Sequence, residues 1–206
     1  MITRIKNHVL QHGDLMDGVD LVMGADRAQI FYSDPPWGSG NLKYWQTLNV
    51  KQTGVAYKEI DFDSFLDKVL EIAVKFTDEY IIIEYGKKWH NLLLQKAMSK
   101  GLIQLGVARV QYRSGNHMLP LDIHIFSKKD LSLPDDYITN INETSSITTV
   151  RNAIYPLAHK GKIILDPSCG MGYTARVGIE AGMYFRGNEI NSKRLGKAID
   201  VIRKMA

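Results

Sequence analysis

Ile30-Phe31-Tyr32-Ser33-Asp34-Pro35-Pro36-Trp37 is an apolar run that stops at an acid, two prolines and a tryptophan. β-branched and aromatic residues crowd its first half, which predicts a buried strand, and the two prolines forbid the chain from continuing as strand or helix. Asp34 is thereby placed at a strand's carboxyl end, the edge of an open α/β sheet where ligands bind. Pro35 and Pro36 have fixed φ and no amide hydrogen, so the carbonyl beside Asp34 is held still and free to accept a hydrogen bond. Two acceptors and the aromatic face of Trp37 suit a flat molecule carrying an amino group. Taken alone, the tetrapeptide reads equally as a rigid turn around a buried Trp, and its context has to decide.

The context is a chain of 206 residues, 45% apolar and 23% charged, a length that predicts one domain over 1–206 with a single core. No apolar run approaches the ~18 residues of a membrane span, and Met1-Ile2-Thr3-Arg4 is not followed by a signal-peptide core, so a cytoplasmic protein is expected. Cys169 is the one cysteine and the six histidines show no ligand spacing, so no metal is called for. A net charge of +4 and a pI near 9.0 lean toward an acidic partner such as nucleic acid.

Upstream, Ile5 to Leu10 reads as a strand closing in Gln11-His12-Gly13-Asp14, and Leu15 to Met23 as a short helix. Asp14 is either a helix N-cap or a ligand contact, and one residue can do both. Downstream, Gly38 to Lys58 has glycines at its root and aromatics interleaved with lysines, a pattern that predicts a long loop contacting phosphates and bases. Lys43, Tyr44, Trp45, Lys51 and Lys58 are its candidate contacts. Phe62 to Phe76 carries a helical stripe, Ile81-Ile82-Ile83 a buried strand closed by Glu84-Tyr85-Gly86, and Trp89 to Ala97 a second helix ended by Gly101. Gly106 to Arg113 and Leu121 to Lys128 follow as an antiparallel hairpin, with Ser114 to Pro120 as its loop. Asp122 and His124 alternate with isoleucines there and read as solvent-facing. Lys129 to Thr144 reads as a linker, and Ser146 to about Tyr155 as a helix.

A second constellation lies at Ile163-Ile164-Leu165-Asp166-Pro167-Ser168-Cys169-Gly170-Met171-Gly172-Tyr173-Thr174. A strand runs into an acid and a glycine-rich loop that opens a helix over Ala175 to Met183, and the next strand, Tyr184 to Glu189, again ends in an acid. That is the layout of a nucleoside-binding βαβ unit, in which glycines admit the ligand to the backbone and the distant acid bonds the ribose. The loop is not Gly-x-Gly-x-x-Gly and has no Walker lysine, which favours a ligand without phosphates.

Asp-Pro-Pro-Trp at 34–37 together with Leu165 to Gly172 resembles the catalytic and S-adenosylmethionine motifs of the amino-methyltransferases that modify adenine N6 or cytosine N4 in DNA. With the catalytic motif first and the cofactor loop last, the chain is similar to their permuted β group, and the likeness spans nearly its whole length. The resemblance implies a Rossmann-like methyltransferase fold of the α/β class, with a mostly parallel seven-stranded sheet, an antiparallel hairpin and circularly permuted motif order. It implies S-adenosylmethionine as cofactor, held by Asp14, Asp34, Asp166, Ser168, Cys169, Gly170, Gly172, Thr174 and Glu189. Catalysis falls to Asp34, Pro35, Pro36 and Trp37.

Three departures stand out. Ser168 replaces the Phe of the family's Asp-Pro-Phe, the Lys-Pro often found before the penultimate helix is missing near Ser145-Ser146, and only Lys129 to Thr144 occupies the place of a target-recognition region. Site recognition therefore falls to the loop after Trp37, to the hairpin loop with Arg113, Asn116 and His117, or to a second subunit, either a homodimer partner or a specificity subunit. The substrate implied is adenine N6 in DNA, with cytosine N4 as the alternative. Messenger-RNA adenine methyltransferases share Asp-Pro-Pro-Trp and the permuted order but lack, as a family, the glycine-rich loop, which ranks RNA lower. A non-catalytic nucleic-acid-binding subunit is the reading from another class, and intact Asp34 and Glu189 argue against it.

Overall fold

The computed structural model describes residues 1–55, 59–114 and 117–206, with backbone only at Arg113, Ser114 and His117. In chain order the first elements are strands β1 (Ile2–Ile5) and β2 (His8–His12), helix α1 (Asp20–Met23), strand β3 (Ala28–Ser33), and helices α2 (Ser39–Thr53) and α3 (Phe62–Phe76). Next come strand β4 (Thr77–Gly86), helix α4 (His90–Ser99), and the strands β5 (Ile103–Ser114) and β6 (His117–Ser127). Helices α5 (Tyr137–Ile141) and α6 (Ser146–Ile154) lead to strand β7 (Ile163–Asp166), helix α7 (Tyr173–Glu180), strand β8 (Tyr184–Glu189) and helix α8 (Ser192–Met205).

The strands form one sheet in the order β1-β2-β8-β7-β3-β4-β6-β5, parallel from β2 through β4 and antiparallel at both ends. Alternation along the strands divides the core into two layers. Ile30, Tyr32 and Ile82 pack with α5 to α8 on one face, while Phe31, Ile81 and Ile83 pack with α3 and α4 on the other. The α3 stripe read from the sequence is buried as Phe62, Phe65, Leu66, Val69, Leu70, Ala73 and Phe76. Because both faces are covered, the central strands carry continuous apolar runs.

Four sequence expectations about the strands and the linker need correction. The sheet has eight strands among the described residues, not seven, because Lys6 adopts φ 49° and turns the chain back, so that the expected single strand Ile5 to Leu10 divides into the antiparallel pair β1 and β2. The hairpin strands run further than expected, to Ser114 and from His117, and shorten the loop. The expected linker contains α5, anchored by buried Tyr137, whose hydroxyl donates to the Ala153 carbonyl at 2.7 Å, and by buried Ile141. Finally, Asp122 and His124 are buried rather than solvent-facing, since β6 is an inner strand beside β4 and the face they share is covered.

Candidate active site

Both constellations meet at the centre of the sheet. β3 and β7 are parallel neighbours, with Ile30 opposite Ile164 and Phe31 opposite Leu165, so both motifs leave the sheet at the same edge. Ser33 Oγ and Ser168 Oγ lie 3.2 Å apart and join the two strand ends. The adjoining cavity, of about 870 Å³, is lined by Asp34, Pro35, Pro36 and Trp37 on one side and by Asp166, Ser168, Cys169, Gly170 and Glu189 on the other. That volume is in the range of small-molecule sites.

At the first motif the Trp37 indole N–H donates to Asp34 Oδ1 at 3.2 Å, and the Trp37 backbone N–H donates to Asn41 Oδ1 at 3.1 Å. The turn is thus closed by its own tryptophan. The indole is half-buried, meeting the ring of Tyr112 edge-on at 5.7 Å, and the backbone of Gly86 lies so close that a Cβ there would come within 3.2 Å of it. The rigid-turn reading and the ligand reading are therefore compatible: Trp37 packs on one side and lines the cavity on the other.

The second motif is held by backbone bonds and by acids. Cys169 N–H donates to the Asn188 carbonyl and Gly172 N–H to the Cys169 carbonyl, both at 2.9 Å. Gly172 has φ 89°, and a Cβ there would meet Ala198 Cα at 3.0 Å, so glycine is required both for conformation and for the approach of α8. Glu189, almost fully buried, accepts the Gly170 N–H through Oε2 and the Asn191 N–H through Oε1, each at 2.8 Å. Asp14 accepts the Met16 N–H at 2.9 Å and also lines the cavity, so the two readings of this residue are compatible. Thr174 is buried in the first turn of α7, where it bonds Asp166.

The floor of the cavity is acidic. Burial raises the Asp166 carboxyl to about 7, although the Thr174 hydroxyl and the Ser168 N–H favour its charged form. Asp34 is open to solvent through the cavity, yet the protein crowded around it raises its carboxyl, with the Trp37 N–H acting in the opposite direction. Glu84 is raised by burial first and then by the charge of Asp34. These carboxyls sit where one further negative charge is disfavoured and a positive charge is welcome. Cys169, by contrast, is buried and its thiol is held well above its ordinary value, which makes it an inert packing residue.

The segment after Trp37 is not a loop. Ser39–Thr53 is the helix α2, which the sequence hid because its apolar residues follow no helical stripe and only Leu42 and Asn49 are buried. It is held by polar contacts to α8: Asn191 Nδ2 donates to Asn49 Oδ1 at 3.0 Å and to Gln52 Oε1 at 2.8 Å, and the Arg194 guanidinium lies 4.2 Å over the Trp45 ring. Lys43 and Lys51 are exposed on this helix, while Tyr44 and Trp45 line the cavity. Lys58 and Asn116 lie outside the described residues. The backbones of Arg113 and His117 stand at the loop end of the hairpin, paired with Met118 and Ser114 respectively.

Sequence reasoning missed Glu84 and Tyr112. Glu84 follows Ile83, the partner of Ser33, so it stands beside Asp34 near the end of the next strand, and its carboxyl accepts a hydrogen bond from the Tyr32 hydroxyl. The signal was present, because Glu84 closes an apolar strand as Asp34 does. Tyr112 lines the cavity from β5 and had no such signal, since a single exposed aromatic in an edge strand is ordinary.

No family model matches the chain, and no curated protein does. Solved structures do. The crystal structure of M1.HpyAVI superposes with a TM-score of 0.68 at 12% identity, covering 94% of this chain and 98% of that one. TTHA0409 from Thermus thermophilus gives 0.68 at 14% identity, with 97% and 95% covered. The PvuII DNA methyltransferase, cytosine-N4-specific, gives 0.63 at 11% identity, with 97% and 93% covered. This chain shares the α/β fold of these structures over almost its entire length.

Proposed function

We propose that the chain is an S-adenosylmethionine-dependent methyltransferase acting on an exocyclic amino group of a nucleic-acid base, foremost adenine N6 in DNA, with its catalytic strand before its cofactor strand in the permuted order. One observation carries the reading: the Asp-Pro-Pro-Trp turn and the Asp166–Gly172 loop open on one cavity whose acidic floor suits a cation. The solved structures of like fold include M1.HpyAVI and TTHA0409 in complexes with S-adenosylmethionine and the PvuII DNA methyltransferase, which supports the same assignment.

In this reading Glu189, Asp14, Asp166 and the loop from Ser168 to Gly172 hold S-adenosylmethionine, which supplies an electrophilic methyl group on a positively charged sulfonium. The target amine is a poor nucleophile because its lone pair is delocalised into the ring. Asp34 and the Pro35 carbonyl accept hydrogen bonds from its two N–H groups and bring the nitrogen toward a tetrahedral shape, and Asp34 takes the one proton that the amine loses as the methyl group bonds to it. Oδ1 is engaged by the Trp37 indole, which directs the amine to Oδ2. Burial and the charge of Asp34 both hold the Glu84 carboxyl up, which disfavours a second negative charge beside Asp34. A base in a duplex has to be flipped out at a cost of a few kcal/mol, and stacking on Trp37, worth roughly 1–3 kcal/mol per base, offsets part of it.

The test is incubation with methyl-labelled S-adenosylmethionine and mixed DNA or matched RNA, followed by nucleoside analysis. N6-methyladenine in DNA is expected. N4-methylcytosine, or label in RNA alone, would reassign the substrate, and no cofactor binding by calorimetry would favour a non-catalytic subunit.

A further inference from the structure

The sequence calls for no metal, yet folding assembles three ligand-type side chains outside the cavity just described. His90 opens α4, and Asp122 and His124 are alternate residues of β6, opposite Tyr85 and Ile83 of β4. One ligand atom from each of the three lies within 4.8 Å of the other two. His90 Nδ1 is 3.0 Å from Asp122 Oδ2, and the two imidazole rings are 4.7 Å apart between centroids. Asp122 is 4% exposed and His124 0%. Among the described residues, Asp122 Oδ1 and His124 Nε2 are buried without a hydrogen-bond partner, a costly state for a carboxylate oxygen and an imidazole nitrogen.

We propose that His90, Asp122 and His124 form a site for a first-row divalent cation, zinc foremost. Two imidazoles and one carboxylate are donors for zinc and its neighbours in the transition series, whereas magnesium and calcium take oxygen ligands. Three protein ligands leave a fourth position for water. The His90 side chain, 32% exposed, gives the cation a way in. The Gln104 amide lies 3.1 Å from His124 Nδ1; with its oxygen turned to that nitrogen it accepts the Nδ1–H and leaves the Nε2 lone pair for the metal.

The consequence reaches the catalytic turn through the segment Gly86 to His90. Gly86 lies against the Trp37 indole, and Trp89 lies so close to Gly38 that a Cβ there would come within 2.5 Å of its ring. A cation held at His90 braces this segment against β6, and with it the wall behind Asp-Pro-Pro-Trp. The site stands on its own donors and does not depend on the methyltransferase reading.

The experiment uses the untagged full chain, stripped with chelator and titrated separately with Zn²⁺ and Co²⁺ by calorimetry and visible absorption. One ion per chain is expected, with ligand-field absorption from Co²⁺ and a higher melting temperature with Zn²⁺. His90→Gln, at the most exposed ligand, is expected to weaken binding at least ~10-fold with an unchanged circular dichroism spectrum. Absence of saturable uptake by the wild-type chain overturns the proposal whatever the variants do. Unchanged affinity in folded His90→Gln overturns it as well.

Discussion

Glu189 Oε2 accepts the Gly170 backbone N–H at 2.8 Å, so the acid that ends β8 also fastens the loop that follows β7. Strand pairing makes this possible, since β7 and β8 are parallel neighbours with Asp166 opposite Gly187. The proposed ribose ligand therefore reaches its position with its carboxylate already oriented. Charge-assisted hydrogen bonds contribute about 1.5–3 kcal/mol each, so Glu189→Ala is expected to weaken S-adenosylmethionine binding at least ~10-fold by calorimetry. Unchanged affinity in a folded variant would remove Glu189 from the cofactor site.

Gly172 makes a second demand on the same loop. Its φ of 89° and the approach of Ala198 Cα leave no room for a side chain. Gly172→Ala is expected to cost about 1–3 kcal/mol of stability, which lowers the melting temperature by about 2–4 °C for each kcal/mol. Thermal denaturation followed by circular dichroism measures it, and a variant that melts with the wild type would contradict the packing described.

The raised carboxyls predict how stability varies with pH. Burial holds Glu84 and Asp166 above their ordinary values, so the folded chain keeps protons that the unfolded chain releases near pH 4. Their contribution is full below the unfolded values and is lost as pH rises through the folded ones. The melting temperature should accordingly fall between pH 5 and pH 8, and Glu84→Gln, which keeps an acceptor for the Tyr32 hydroxyl, should make that fall shallower. Parallel pH profiles for the two proteins would mean that Glu84 ionises as an ordinary glutamate.

For nucleic-acid contact, Lys43 and Lys51 are exposed on α2 beside the cavity-lining Tyr44 and Trp45. If they and Lys58 neutralise phosphates, replacing all three by Ala lowers DNA affinity and reduces the salt slope by about one unit per lost contact. An unaltered slope in filter-binding titrations would move the DNA surface to the hairpin end near Arg113 and His117.

Much of this was legible in the sequence because it depended on local chemistry. Two prolines stop β3 at Asp34, the stripe from Phe62 to Phe76 has helical period, and the glycines after Asp166 mark a turn into a helix. What escaped depended on contacts distant in the chain. α2 lacks an apolar stripe because polar side chains such as Asn191 and Arg194 hold it, and α5 reads as linker until Tyr137 finds the Ala153 carbonyl. Period-two alternation at Asp122 and His124 looked like a solvated face, but it identifies only a shared face, and what covers that face is decided by the rest of the fold. Glu84 became a site residue only once the register set β4 beside β3.

Asp34 is proposed to act on the target amine, while Glu189 and the glycine-rich loop are proposed to hold the cofactor, so substitution at Asp34 should separate turnover from binding. The direct measurement is methyl transfer by Asp34→Ala to DNA that the wild-type chain methylates, alongside calorimetry with S-adenosylmethionine. The account predicts a loss of roughly 10²–10³ in rate or more, by analogy with other electrostatic catalytic groups, with cofactor affinity within a few-fold of the wild type. Near-normal turnover by Asp34→Ala would contradict it and leave Asp-Pro-Pro-Trp as a structural turn.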